Sequence, residues 1–242
     1  MAYEQKVVVV IPVYKQSPDD DEAQALRHSL RILKDYPVVL IGPDDICFDS
    51  YVEYGFSTEQ IQPWPARHFK GIRAYNRLLC SRAFYSAFRQ YRFMLILQPD
   101  AWVFRDELKE WCDKDYDFIG SPWLWEPERV KKRVFINLWP LLKNQVGNGG
   151  VSLRKIRTMM RYGLWAELLF KLFRKNEDFI WLLVSRLPWA KFSKPDTIEA
   201  LRFCIEMEPQ TALQMIGGQL PFSTHAYNRY GRDFWRPLID NG

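Results

Sequence analysis

The sequence predicts an α/β fold: a single domain with a mainly parallel central sheet flanked by helices. Three observations predict it. Residues Lys6–Val13 form a Val- and Ile-rich run without polar alternation, the pattern of a strand buried on both faces. Strand-like and helix-like segments alternate as far as residue 104, which calls for right-handed crossovers and parallel pairing. The apolar run MLILQPDAWVF, Met94–Phe104, is interrupted by a carboxylate, Asp100, where such a strand leaves the core; open α/β sheets bind ligands at that edge.

The elements follow in order. After the first strand, the polar stretch SPDDDEAQ offers Ser17 or an early Asp as N-cap. Glu22–Leu33 then places Ala25, Leu26, Ser29, Leu30 and Leu33 on one helical face. Tyr36–Ile41 reads as a second strand, stopped by the turn-forming GPDD. Phe69–Tyr91 has helical spacing throughout and leads into the strand that carries Asp100. Beyond residue 104 the pattern loosens. Asp106–Cys112 reads as a short helix, Asp117–Pro122 as a strand end, and Trp123–Gln145 as aromatic, basic and irregular. Val151–Arg154 reads as a strand and Lys155–Leu172 as a long helix or helix pair. No repeat, low-complexity tract or linker divides the 242 residues.

With 48% apolar and 26% charged residues, the chain has a globular balance rather than a disordered one. The net charge of +5 favours anionic ligands without specifying them. No basic stripe with interleaved aromatics matches a nucleic-acid module, so no nucleic-acid partner is expected. Cys47, Cys80, Cys112 and Cys204 are scattered and show no CxxC, which points to a reducing cytosol rather than to a disulfide framework or zinc site. The apolar start MAYEQKVVVVIPVY is too short to span a bilayer, and the expectation is a soluble or peripheral protein.

Four places could carry chemistry. Asp100 at a strand end could hold Mg²⁺ or Mn²⁺ on substrate phosphates, or could cap the following turn or pair with an Arg. Gly147-Asn148-Gly149-Gly150 allows positive φ and close backbone approach to a ligand, or forms a tight turn. Asn176-Glu177-Asp178-Phe179 places two acids before an apolar helical run. They fit a helix cap, or Asp178 as a general base with Glu177 orienting an acceptor. His225 in PFSTHAY is a metal-ligand candidate or a structural imidazole among aromatics.

Read in order, IPVY, YNRLLCSRAFYSAF, LILQPDAWVF, DFIGSPW, VGNGGVSLR, NEDFIW and LPFSTHAY resemble the GT-A-fold (Rossmann-like) glycosyltransferases. Within them the likeness is to a bacterial-type family of uncharacterised domains. The resemblance implies a nucleotide-binding half of about residues 1–104 and an acceptor-binding half of about 105–242. It places Pro12, Val13 and Tyr14 under the base and ribose of a nucleotide sugar. Arg73, Asn76 and Arg77 lie on the helix facing the nucleotide and diphosphate. Asp100 resembles the last acid of a DxD metal motif, Gly149 and Gly150 the loop flanking the donor sugar, and Asp178 the base of inverting members. His225 resembles the carboxy-terminal metal ligand.

The implied activity is Leloir-type transfer to a hydroxyl of a glycan or lipid-linked acceptor, in polysaccharide biosynthesis at the cytoplasmic membrane face. The implied cofactor is Mn²⁺ or Mg²⁺. One departure weakens the metal site: Gln98 stands where the motif has its first Asp, so the sequence reads QPD. Gln98 can hydrogen-bond a ribose but brings no charge, and Arg73, Arg77 or another cation would then face the leaving diphosphate. Trp123, Trp125 and Trp139 are candidates for shaping an acceptor cleft. A nucleotidyltransferase of the same fold class is disfavoured, because YKQSPDDDEAQ after the first strand is acidic and lacks glycine. A non-catalytic nucleotide- or sugar-binding module is the alternative from another class. Arg161–Lys194 mixes Leu, Phe and Trp with seven Lys or Arg, a composition that suits either an anionic bilayer surface or a core-packed helix pair with a solvated face.

Overall fold

The computed structural model describes residues 5–124 and 145–240. Strand β1, Gln5–Pro12, is central. Its β-branched residues alternate between two cores: Val7, Val9 and Ile11 face one, and Val8 and Val10 the other. The run is therefore apolar at every position because both of its faces are covered. Strand β4, Tyr91–Leu97, repeats the device, with Phe93, Leu95 and Leu97 on one face and Met94 and Ile96 on the other. Each such side chain contributes about 1.5–3 kcal/mol on leaving water, so these two strands alone anchor much of the fold.

Six strands form the main sheet in the order β3-β2-β1-β4-β7-β6. Strands β3 (Ile61–Trp64), β2 (Val38–Pro43), β1 and β4 run parallel. Strands β7 (Val151–Lys155) and β6 (Phe118–Gly120) pair antiparallel. A second, three-stranded sheet has the order β5-β9-β8, with β5 at Ala101–Val103, β8 at Cys204–Ile205 and β9 at Ser223–His225. It escaped prediction, as did β3, because strands of two to four residues are too short to show a period.

On one face of the main sheet lie helices α1 (Asp20–Ile32) and, after the short α2 (Asp49–Glu53), α5 (Leu108–Asp113). The other face carries α3 (Ile72–Leu79), α4 (Arg82–Ser86), α6 (Ile156–Phe173) and α7 (Glu177–Ser185). Helices α8 (Thr197–Phe203), α9 (Pro209–Met215) and α10 (Arg232–Asp240) pack around the small sheet.

Two expectations are refined. The N-cap of α1 is Asp19, which accepts from Glu22 N while the Glu22 carboxylate accepts from Asp19 N, both at 3.0 Å. The single helix expected over Phe69–Tyr91 is two helices. Ser81 leaves helical geometry and its Oγ accepts from Ala83 N at 3.2 Å, while Glu167 accepts from Arg82 N at 2.9 Å. Two side chains thus start a second helix where periodicity alone suggests continuation.

Candidate active site

The site forms where β4 ends. Leu97 is the last residue in the main sheet, and Gln98-Pro99-Asp100 turns the chain into β5 of the small sheet, with Ala101 N donating to Gln98 O at 3.0 Å. Strand β9 lies antiparallel to β5 with His225 opposite Ala101, and this register brings His225 to Asp100 across 125 residues of sequence. His225 Nε2 stands 2.9 Å from Gln98 Oε1 and 3.3 Å from Asp100 Oδ1. Its Nδ1 faces Glu206 Oε2 at 3.4 Å. Burial disfavours the imidazolium, but Glu206 and Asp100 more than offset it and push the ring up to about 10. Burial likewise works against the Asp100 carboxylate, yet His225 holds it below the usual range.

Glu206 is the functional candidate that sequence reasoning missed. It lies beyond β8, in a stretch without a motif, and only the strand pairing brings it to His225.

Among the described residues no three His, Cys, Asp or Glu side chains could hold a divalent ion, because Glu206 lies at the opposite ring nitrogen from Asp100. What remains at Nε2 is one carboxylate, one imidazole and the neutral Gln98 oxygen. That set fits a site completed by water and substrate phosphate rather than a closed protein cage. A carboxylate behind the other ring nitrogen is the usual support of a ligating His.

The glycine loop joins this cluster to the acidic pair. Gln98 N donates to Gly150 O at 3.0 Å, and Gly150 N donates to Asn148 Oδ1 at 3.1 Å. A side chain at Gly150 would collide with the His225 ring, and one at Gly149 with the Glu177 carboxylate. Neither glycine has positive φ, so close approach, not an unusual backbone, explains both. Gly147 similarly makes room for the Trp123 ring. Trp123 is therefore a buried packing residue rather than part of a cleft, and Trp125 and Trp139 lie outside the described residues.

Glu177 and Asp178 begin α7 but have different surroundings. Glu177 is buried and held bidentately by Arg154, at 2.8 Å from Nη2 and 3.2 Å from Nη1. Arg154, itself fully buried, also donates to Tyr85 Oη at 2.8 Å and Ser152 Oγ at 2.9 Å. Burial pushes the Glu177 carboxyl upward and Arg154 pulls it back. With its oxygens committed to Arg154, Glu177 anchors the loop instead of presenting a group to an acceptor.

Among the described residues Asp178 has no such cation; its Oδ1 accepts from Phe179 N at 2.7 Å. Burial, then repulsion from Glu177, with a smaller contribution from Glu206, push it up to about 7. Asn176, at the N-cap of α7, makes no side-chain bond to the helix; Asn76 does the work from α3, its Oδ1 accepting from Glu177 N at 2.7 Å. Asn76 is thus a positioning residue and not a free contact for a nucleotide.

A cleft of about 640 Å³ opens on the other side of Asp100, within the range of small-molecule sites. Its lining is mixed: Tyr14, Lys15, Asn228, Arg229, Arg232 and Arg236 share it with the acids Asp19, Asp20, Asp21 and Glu22. Tyr14 is exposed at the end of β1, whereas Pro12 and Val13 are buried, with Val13 in the core. Lys15 is tied to Asp19 and Glu22 at 3.0 and 2.9 Å. Arg232 and Arg236 approach Asp21 only at 3.7 and 3.9 Å, and Arg229 helps hold Asp100 ionised. Arg73 and Arg77 are exposed on α3 and do not line this cleft; its cations are Lys15 and three C-terminal arginines, of which Arg229 acts on Asp100.

The architecture is that of the GT-A glycosyltransferases. It resembles the galactosyltransferase LgtC, solved with donor and acceptor sugar analogues, at 14% identity over 97% of this chain and 95% of that one, TM-score 0.51. It resembles mouse xyloside xylosyltransferase 1 at 8% identity, over 92% and 97% of the two chains, TM-score 0.57. A third likeness is to the glycosyltransferase GlyE of Streptococcus pneumoniae TIGR4, at 13% identity over 97% of this chain and 60% of that one, TM-score 0.59. At these identities the likeness establishes the fold. The chain itself belongs to the family described as "Protein of unknown function (DUF5672)", which matches residues 58–225. No curated protein matches it. Among the described residues no helix is long and apolar enough to cross a membrane.

Proposed function

We propose that the protein is a glycosyltransferase that moves a sugar from a nucleotide-sugar donor to a hydroxyl of a glycan or lipid-linked acceptor, with inversion. One observation carries the reading: His225 contacts Asp100 on one side and the glycine loop on another, and that loop abuts the acidic pair ending in Asp178. Residues far apart in sequence thus meet in one chain of contacts, and Asp100 at its end lines a cleft that also holds three arginines.

Tyr14 offers its exposed ring to the base, and Arg229, Arg232 and Arg236 face the diphosphate. Asp178, with a proton affinity matched to neutral pH, takes the acceptor proton as the acceptor oxygen attacks the anomeric carbon. The bond from that carbon to the phosphate oxygen breaks, and its electron pair leaves with the nucleoside diphosphate. A divalent ion held by Asp100, His225 and Gln98 would supply further positive charge against the diphosphate. Glu206 keeps the His225 ring oriented. Glu177 and Asn76 fix the start of α7 and so aim Asp178.

Asp178→Asn tests the reading. Turnover should fall at least 100-fold while donor affinity stays within about threefold, since a base contributes typically 10²–10⁴-fold. Unchanged transfer removes Asp178 as base, and binding without transfer by the parent protein leaves a nucleotide- or sugar-binding module. The anomeric configuration of the product, read by NMR, decides inversion.

A further inference from the structure

The site leaves one face of α6 unused. Ile156, Met159, Tyr162, Ala166 and Phe170 point into the core, as a helix lying on a sheet requires. On the opposite side, Leu164, Trp165, Leu168 and Leu172 form a second apolar stripe that faces solvent, with Leu168 54% and Leu172 69% exposed. Trp189, from the segment after α7, extends it: its ring lies 5.3 Å from that of Trp165 and is 56% exposed. An exposed stripe of this size normally marks a contact surface.

The charges around the stripe select the partner. From Arg157 to Lys175 there are five basic residues and one acid, Glu167, whose carboxylate is already taken by Arg82 N. Arg157 and Arg161 stand at one end of the stripe, and Lys171, Arg174 and Lys175 at the other, all exposed. A protein partner would need an apolar stripe with acids at both ends. A bilayer surface bearing anionic headgroups offers both features at once, and Trp and Leu framed by Lys and Arg suit its interface.

We infer that the outer face of α6, with Trp189, docks on an anionic lipid bilayer. Arg174, in the left-handed conformation, ends α6, and α7 starts three residues later, so Asp178 lies close along the chain to the docked end. The inference does not rest on the transfer chemistry, because vesicle binding is read without a donor.

Flotation of the full chain with vesicles of neutral phosphatidylcholine, and with vesicles in which a quarter of the lipid is phosphatidylglycerol, tests it. Binding should appear only on the anionic vesicles and weaken as salt rises. Trp165→Ala/Leu168→Ser should lower the partition coefficient at least tenfold. Lys171→Ala, which removes only an exposed charge, should lower it about fivefold. Circular dichroism confirms that each variant is folded, and Lys171→Ala keeps the test decisive should the apolar pair unfold the chain. Absence of binding, equal binding to neutral vesicles, or binding indifferent to both variants overturns the inference. Light scattering without lipid supplies the remaining arm: a dimer broken by the same substitutions makes a second copy of the chain the occupant instead.

Discussion

Replacing Arg154 by Leu probes the joint between fold and site most directly. Its guanidinium makes two bonds to Glu177, one to Tyr85 and one to Ser152, with no access to solvent. Leu leaves the Glu177 carboxylate buried without a cation, a change that costs about 3–5 kcal/mol. For a chain of 242 residues this lowers the melting temperature by about 10 °C. Glu177→Met should cost a similar amount, since it strands the guanidinium. The double variant buries no charge, and replacing a buried ion pair with apolar groups is often neutral or stabilising. It should therefore recover about 3 kcal/mol or more relative to the sum of the single variants. Urea unfolding of all four proteins measures that coupling. Losses that simply add would refute the assignment of Glu177 as the structural partner of Arg154 and reopen a role for it toward the acceptor.

Four further outcomes follow from the site's contacts. Asp178 acts as a base only when ionised, so turnover should rise with unit slope and level off above about pH 7, in a profile measured at saturating donor. Because its folded value lies above the ordinary one, the folded state holds the proton more tightly. Stability due to Asp178 is thus lost as pH climbs from about 4 through about 7, and Asp178→Asn should recover on the order of 4 kcal/mol at pH 8 in urea unfolding. Gly150→Ala places a methyl against the His225 ring and should destabilise the protein by about 1–3 kcal/mol, while weakening Mn²⁺ binding followed by electron paramagnetic resonance. Glu206→Gln should weaken that binding about 10–100-fold, and should also lower the melting temperature of the metal-free protein near neutral pH, because it removes the charge that holds the His225 imidazolium.

The parallel half of the sheet was legible because burial on two faces leaves a mark on every residue of a strand. Val7–Ile11 and Phe93–Leu97 have no polar member, and at five residues rich in Val, Ile and Leu they suit a strand better than a buried helix. The small sheet left no such mark. His225 lies in a three-residue strand and pairs with another of equal length, and segments this short carry no period. The break between α3 and α4 was hidden for a different reason. The spacing on either side of Ser81 is helical, and the new helix at Arg82 is marked only by two side-chain caps, the Ser81 hydroxyl and the Glu167 carboxylate, the second from a helix far along the chain.

In the site, residue type was legible and commitment was not. Glu177 and Asp178 are adjacent acids at a helix start, and the sequence gives no reason to treat them differently. The fold separates them by placing Arg154 beside only one. That single contact makes Glu177 a buried anchor, and the same contact fixes a negative charge next to Asp178, which raises its proton affinity toward neutrality. Asn76 shows the converse case. On a helix facing a nucleotide it resembles a ligand contact, but its amide is spent on Ile72 O at 2.7 Å and its oxygen on Glu177 N. The group best placed to act is thus the acid whose bond is to a backbone amide, Phe179 N at 2.7 Å, rather than to a buried cation, while its neighbours hold it in place.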